Sequence, residues 1–362
     1  MEACLTDLTQ FSRRQSGWCD TTSLDFRSSM QLTIAIPTYN RNTLLLQNLA
    51  RLLPQFSAGC RLMVVDNASD VPVEDEVRAL LADFPAVEFE LVRNIVNIGG
   101  NANILRCFEL CQTQYIWILG DDDPIQPDAL ATVLRYLESH PDCFYFNFPF
   151  DDNRAQTFIT QGLEEFIDRL DLSANIPWVS TSIYQVETMR ANLKLGYQHA
   201  FSMLPHVAML LVSIGKNGRC CLASERIIEL EPGGAPLEAQ WSKVSFALAA
   251  PTVYDVPLSS AQREKLARKL LVTYWGEGID LRFVTHQLLI EFFQHGDHRN
   301  TLYFFDQICA RGYYLNRTPR RRAHVRLCRL MLRYPRLTAV AFYLVKRKRL
   351  SKMSLQDRYE RM

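Results

Sequence analysis

Three consecutive carboxylates, Asp121, Asp122 and Asp123, follow the apolar run Tyr115 to Leu119 after a single glycine, Gly120. Adjacent like charges repel, so such a cluster needs a cation or several hydrogen-bond donors to offset the cost. Mg2+ and Mn2+ prefer oxygen ligands and commonly take one or two carboxylates together with substrate phosphates. The cluster therefore reads as half of a diphosphate site, against the alternative of a solvated acidic turn. Three further polar groups end apolar runs: Thr38-Tyr39-Asn40-Arg41, Asp66-Asn67-Ala68-Ser69 and Arg93-Asn94. Their company favours the metal reading.

A carboxylate at a strand end, such as Asp66, can fix the edge of a base, and Tyr39 offers a flat apolar face. Each has an ordinary alternative, a turn or helix-cap role for Asp66 and loop packing for Tyr39. Gly99 and Gly100 permit close backbone approach, and amides of a helix starting there could face a phosphate. No G-x-G-x-x-G or Walker-type run accompanies them.

The elements that must carry these residues alternate. Leu32 to Arg41 reads as a buried strand giving way at Pro37 to a loop, with Asn42 or Thr43 capping a helix that Pro54 ends. A strand over Leu62–Val65, helix-compatible sequence over Asp75–Phe84 and a strand over Val87–Val92 follow. Next come a helix over Gly100–Cys111, a strand over Tyr115–Leu119 and a helix opening near Pro127 with Leu130, Val133, Leu134 and Leu137 on one face. This rhythm predicts a mainly parallel α/β sheet covered by helices on both faces, with ligands outside the carboxyl ends of the strands. Past residue 140 it weakens: strands are expected over Cys143–Phe150, Val179–Tyr184 and Ile227–Leu230, and a helix through Met209 and Ile214. The Glu231–Pro236 run is the expected boundary, with helices at Glu238–Ala249, Gln262–Trp275 and Leu281–Phe293 beyond it.

The 362 residues suit one large domain or a domain with an appendage, and 48% hydrophobic with 22% charged residues excludes a disordered chain. Net charge is +1, which gives no reason to expect nucleic-acid binding. The charge is unevenly spread, however. From Arg311 to Met362 sixteen Lys or Arg face two acids, +14, leaving 24 basic and 37 acidic residues before them, −13. Ten cysteines without a CxxC pair read as reduced thiols of a cytosolic protein. No secretory signal is expected in residues 1–30, and no apolar run reaches the ~18 residues of a membrane span.

The motifs LTIAIPTYNR, VVDNAS, NIGGNAN and YIWILGDDDPIQPDAL, in this order, resemble the nucleotide-sugar glycosyltransferases of family 2, inverting enzymes of the GT-A fold. The resemblance is clear over residues 31–135, weaker to about residue 231, and near absent in residues 1–30 and after 240. It implies a GT-A-like, Rossmann-like α/β catalytic domain over 31–235, with a nucleotide-sugar half at 31–135 and an acceptor half at 136–235. An N-terminal extension, 1–30, and a helical C-terminal region, 236–362, flank it. Pro37, Thr38 and Tyr39 would line the nucleoside pocket, Asp66 would bond the base, and Asn67 and Asn94 would flank it. Gly99 and Asn103 would belong to the donor site. Asp121 would serve the ribose and metal side and Asp122 the metal, with Asp123 a second ligand candidate or a catalytic carboxylate. Many relatives have an acid where this chain has Gly120, which moves the ligand register by up to one residue.

An inverting transfer needs a base for the acceptor hydroxyl. Relatives supply an acid at a helix start, often Glu-Asp, and this chain instead has His206 behind Pro205 at the matching place. Histidine suits the task near neutral pH, and a helix N-terminus lowers its pKa. A structural histidine is the alternative, with Glu164, Glu165, Asp168 and His199 as fallback bases. His295 and His298 read as a polar turn.

Arg322, Arg326, Arg329, Arg333 and Arg336 form a helical stripe flanked by Val325, Cys328 and Leu332, with Lys346 to Arg349 beyond. A basic amphipathic segment of this kind reads as attachment to anionic lipid, or as a helix packed on the catalytic domain. The expected whole is a glycosyltransferase dependent on Mn2+ or Mg2+. It would use a nucleoside-diphosphate sugar and a glycan or lipid-linked acceptor, as in O-antigen or other polysaccharide assembly, on the cytoplasmic face of the inner membrane. A degenerate member that binds nucleotide sugar without turnover is the rival. A sugar-phosphate nucleotidyltransferase would need a glycine-rich basic loop after Ile36, which is missing.

Overall fold

The computed structural model describes residues 31–170, 176–215, 217–229, 256–263 and 319–340, with a few isolated positions between 265 and 306. An eight-stranded sheet runs through it in the order β3-β2-β1-β4-β7-β5-β8-β6. Its strands are β1 (Leu32–Thr38), β2 (Cys60–Asp66), β3 (Glu88–Arg93), β4 (Tyr115–Ile118), β5 (Tyr145–Asn147), β6 (Phe158–Gln161), β7 (Ser182–Gln185) and β8 (Arg219–Leu222). β1 to β4 pair parallel, β7 pairs antiparallel with both β4 and β5, and β6 is antiparallel to β8. The sheet is thus mostly parallel, as the alternating pattern predicts.

Helices α1 (Asn42–Leu52), α2 (Glu74–Leu81) and α4 (Ala129–Ser139) cover one face. Ile34, Ile36, Leu62, Val64, Trp117, Phe146 and Ile183 pack against that layer. The alternate strand positions, including Ala35, Met63, Val65, Ile116, Ile118, Tyr145 and Tyr184, face the opposite layer. That layer holds α3 (Gly100–Leu110), α5 (Gly162–Arg169), α6 (Val186–Arg190), α7 (Leu193–Gln198) and α8 (Pro205–Ile214). Both faces being covered is why the strands read as apolar runs rather than as alternating ones. The seven described cysteines are buried.

Several local expectations are corrected. Position 41, not 42 or 43, holds the N-cap of α1; Asn42 already lies in the helix and its side chain donates to Glu76. The aromatic run 143–150 forms only a three-residue strand, β5, because its neighbour β7 starts with a 3-10 turn over Val179–Thr181. The strand expected at Ile227–Leu230 is a single bridge between Ile228 and Ile125. The boundary at Glu231–Pro236, the helix at Glu238–Ala249 and both His295 and His298 lie outside the described residues.

Helix α9 (Pro319–Arg333) carries the basic stripe. The apolar flank expected to meet lipid is turned inward: Cys328 and Leu332 are buried in the same core as the sheet, and Val325 packs on it. Arg329 pairs with Asp306 at 2.7 Å. A different apolar set, Leu327, Leu330, Tyr334, Leu337 and Val340, is exposed beside the exposed Arg322, Arg326, Arg333 and Arg336.

Candidate functional site

The parallel pairing brings the sequence motifs to one sheet edge. Register sets Thr38 beside Asp66 and Asp66 beside Arg93, and it pairs Ala35 with Ile118. Continued three residues past that last pair, the register puts Thr38 opposite Asp121, and the Thr38 hydroxyl donates to Asp121 Oδ2 at 2.7 Å. Asp121 is buried, and this burial pushes its pKa up to about 6 against the opposing effects of Thr38 and Arg41. Asp122, the exposed member, shares a partner with it. Arg41 Nη1 lies 3.0 Å from Asp121 Oδ1 and 2.7 Å from Asp122 Oδ2. One cationic nitrogen thus marks a point that two carboxylate oxygens reach together, and a divalent cation with oxygen preferences fits the same donor set.

Asp123 departs from the pair. Its Oδ2 accepts hydrogen bonds from the Trp178 indole at 2.8 Å and from the Ser180 hydroxyl, while the Gly120 amide donates to Ser180 Oγ at 2.8 Å. Enclosure of the carboxylate raises its pKa to about 6, and the neighbouring Asp122 charge adds to that. The Oδ2 of Asp123, expected as a second metal-ligand candidate or a catalytic carboxylate, points into the 178–180 segment. No cluster of three or more metal-ligating side chains occurs among the described residues. The same fold-back accounts for Gly120, since a Cβ there would collide with Asp123 Oδ2 and lie 2.9 Å from its Cγ. A side chain at 120 and this position of Asp123 exclude one another.

Across β1, at the end of β2, Asp66 is 1% exposed, ion-paired with Arg93 and bonded to the Ser69 amide at 2.9 Å. Arg93 also donates to the Ser69 carbonyl at 2.8 Å, which closes the loop over the end of β2. An asparagine network fastens the neighbouring loop. Asn94 donates to Asn67 at 2.9 Å and to Asn103 at 2.8 Å, Asn67 donates to Asn97 at 2.8 Å, and Asn103 donates to the Val65 carbonyl at 2.9 Å. Gly99 caps α3 with φ +85°, a conformation that favours glycine, and no atom lies within 4 Å of where its Cβ would be. Pro37 and Tyr39 are half-buried at the end of β1.

His206 is brought near the Asp123 partners but not to Asp123 itself. It is 2% exposed at the start of α8, its Nε2 is 3.1 Å from the Pro177 carbonyl, and burial lowers its pKa to about 4. His206, expected as the base or as a structural histidine, thus sits behind Pro177, whose carbonyl its Nε2 meets. The fallback acids lie elsewhere. Glu164, Glu165 and Asp168 sit on α5, which follows the edge strand β6 at the far side of the sheet. There Glu165 accepts the Gln161 amide and Asp168 pairs with Lys265 at 2.8 Å. His199 stacks on Phe201 beside the start of α3, where Asn101 donates to the Ala200 carbonyl.

Four residues of this network were not singled out from sequence: Arg41, Arg93, Trp178 and Ser180. The two arginines did carry a signal, since both stand in polar strand-end clusters opposite acids. Trp178 and Ser180 carried none, because they lie in no motif.

Residues 33–193 match the family model described as glycosyl transferase family 2. A stretch of 119 residues is 32% identical to abequosyltransferase RfbV of Salmonella typhimurium, covering 32% of this chain and 35% of that protein. Another of 107 residues is 29% identical to an uncharacterized protein of Mycobacterium tuberculosis, covering 30% and 32% respectively. The aligned part thus spans about a third of the length of these two curated relatives. Among solved structures, S. aureus TarS 1-349 superposes with a TM-score of 0.52 at 14% identity, over 85% of this chain and 87% of that one. The same protein in complex with UDP-GlcNAc gives 0.53, also at 14% identity, over 85% and 92%. Residues 33–193, built on a GT-A-like sheet, thus form the part of the chain that matches glycosyltransferase family 2.

Proposed function

We propose that the protein transfers a sugar from a nucleoside-diphosphate sugar to an acceptor hydroxyl, with inversion and with Mn2+ or Mg2+ held by Asp121 and Asp122. The observation that carries this reading is the meeting of those two carboxylates on one cationic nitrogen, across β1 from the enclosed Asp66–Arg93 pair. A bound divalent cation would offset the charge growing on the leaving diphosphate. Asp66 accepts from the base, Tyr39 and Pro37 line the nucleoside pocket, and Asn67, Asn94, Gly99 and Asn103 hold the loop beside it. A protein of the same fold, TarS, has been crystallised with UDP-GlcNAc, which supports a nucleotide-sugar donor.

On the acceptor side, Asp123 is the carboxylate assigned to take the hydroxyl proton, with Trp178, Ser180 and, through Pro177, His206 positioning it. A name such as abequosyltransferase in a partial relative supports a glycan acceptor, and a lipid-linked glycan is the acceptor class proposed. No helix among the described residues is long and apolar enough to cross a membrane. The exposed face of α9, with arginines beside Leu327, Leu330 and Leu337, suits in-plane contact with the anionic cytoplasmic face of a membrane. Cosedimentation with phosphatidylglycerol vesicles, lost on removal of residues 317–362, tests that attachment, and unchanged sedimentation ends it.

The decisive experiment for the activity is nucleoside-diphosphate release from UDP-, GDP-, dTDP- and CDP-sugars with Mn2+, Mg2+ or EDTA, comparing wild type with Asp122→Ala. Release from one donor, lost with EDTA and in the variant, is the expected outcome. Donor binding without release in the presence of acceptor glycans would favour a binding-only protein.

A further inference from the structure

The carboxylates proposed to take a divalent cation already have a cation between them, and it belongs to the chain. Arg41 Nη1 bridges Asp121 Oδ1 and Asp122 Oδ2 at 3.0 and 2.7 Å. Thr38 occupies the other oxygen of Asp121, so Oδ1 is the one directed at the bridging position. A guanidinium and a divalent cation cannot share that position, because each would bring its charge to within a few ångström of the other. Binding of the metal therefore requires Arg41 to leave.

The local structure lets the side chain leave without the backbone. Asn40 stands at φ +54° and is clamped to the β2 loop: its side-chain amide donates to Asp70 at 3.0 Å, and its Oδ1 accepts the Asp70 amide at 2.8 Å. Position 41 is the N-cap of α1 but makes no side-chain cap bond there, so the guanidinium has no role in holding the helix. Its side chain is 22% exposed, at the surface end of the cluster, and Asp122 beside it is 37% exposed. The anchored backbone and the long, partly exposed side chain make a hinge at the side-chain torsions alone.

We infer that Arg41 is a displaceable counter-ion that couples metal binding to donor binding. In the free protein it neutralises Asp121 and Asp122 and lowers their affinity for a divalent cation. When a nucleoside diphosphate arrives with the metal, the diphosphate supplies the released guanidinium with a new anionic partner, to which a planar fork binds well. Metal and diphosphate then each strengthen the binding of the other by the same factor, as linkage demands. This inference rests on the proposed cation site at Asp121 and Asp122, and it goes beyond it by giving Arg41 a role there.

The test is a Mn2+ titration of the full chain, read by the electron paramagnetic resonance of free Mn2+, for wild type, Arg41→Gln and Arg41→Lys. Mn2+ is used alone and then with UDP, GDP, CDP and dTDP in turn. Arg41→Gln is expected to bind Mn2+ alone about tenfold more tightly than wild type, since the competing internal ion pair is gone. The enhancement of Mn2+ binding by the favoured nucleoside diphosphate is expected to shrink by a similar factor. Arg41→Lys, which keeps the charge but not the fork, should fall between, and it carries the test if Arg41→Gln does not fold. Equal or weaker Mn2+ binding in the variants, with wild type binding the metal, overturns the role of Arg41 alone. Absence of Mn2+ binding from all three proteins overturns both this inference and the metal dependence on which it rests.

Discussion

The two halves of the sheet build their share of the site in opposite ways. In residues 31–135 the strands β1 to β4 run parallel, so all four carboxyl ends fall on one edge. Thr38, Asp66, Arg93 and Asp121 meet there because each directly ends or follows a strand. In residues 136–229 two strands run the other way, and the interior holds rings such as Tyr145, Phe166 and Tyr184 together with a buried network around Asn147 and Arg154. What this half contributes comes from the start of a strand. β7 is antiparallel to β4, with Ile183 opposite Trp117, so the residues before β7, Trp178 and Ser180, arrive at the edge where β4 ends. Chain direction decides which end of an element can carry function.

The largest effect that follows belongs to the parallel half. Asp122→Ala should lower nucleoside-diphosphate release by about a hundredfold or more, because charge stabilisation of the leaving group is usually the largest single contribution. A steady-state assay with the favoured donor checks it, and a loss below threefold would move the cation site away from β4. Asp66→Ala should weaken nucleoside-diphosphate binding by about 10- to 100-fold while leaving Arg93 without its buried partner. Calorimetry with the free nucleotide reads this directly.

Across the junction of the halves, Trp178→Phe removes one donor from Asp123 and keeps the ring. Transfer to acceptor should fall by about tenfold in kcat, with KM for the donor and Mn2+ binding little changed. An equal loss in donor binding would instead place Trp178 on the nucleotide side.

His206 provides a stability test. Its pKa is lowered from 6.5 to about 4 by burial, so the unfolded chain takes up a proton between those values that the folded chain refuses. The stabilising contribution is present above pH 6.5 and is lost as pH falls toward 4, by about 3 kcal/mol over the window. Thermal melts at pH 7 and pH 5 should show a smaller drop for His206→Gln than for wild type, since other titrations are common to both. The smallest effect belongs to the far edge. Glu164→Ala, Glu165→Ala and Asp168→Ala should each leave transfer within about twofold, as expected for surface substitutions remote from the site. A large loss in any of them would show that the second half of the sheet reaches the chemistry from α5.

The contrast between the halves also explains what could be read in advance. The parallel strands were visible as apolar runs, and the polar clusters that end them were visible as the residues next in line. The Asp cluster, Asp66, Asn67 and Asn94 were legible for this reason, whereas Asn103, inside α3, was legible only through the family resemblance. Gly120 was legible only as a departure, and its reason, the carboxylate of Asp123 folded into the space of a side chain, depends on a segment 55 to 57 residues away. The short strands β6 and β8 left no distinct signal, since four residues of mixed character fit several conformations.

By itself the sequence determined the alternation of strands and helices, the direction of the first four strands and hence the sheet edge where the residues proposed to bind the donor gather. Those properties are local, set by hydrophobic period and by the residue types at strand ends. Only the tertiary structure decided which carboxylates face each other, that Arg41 bridges two of them, that Asp123 turns to Trp178 and Ser180, and that His206 is enclosed. Each of these is a pairing between distant segments, and its outcome depends on strand order and chain direction, which no single stretch of sequence encodes.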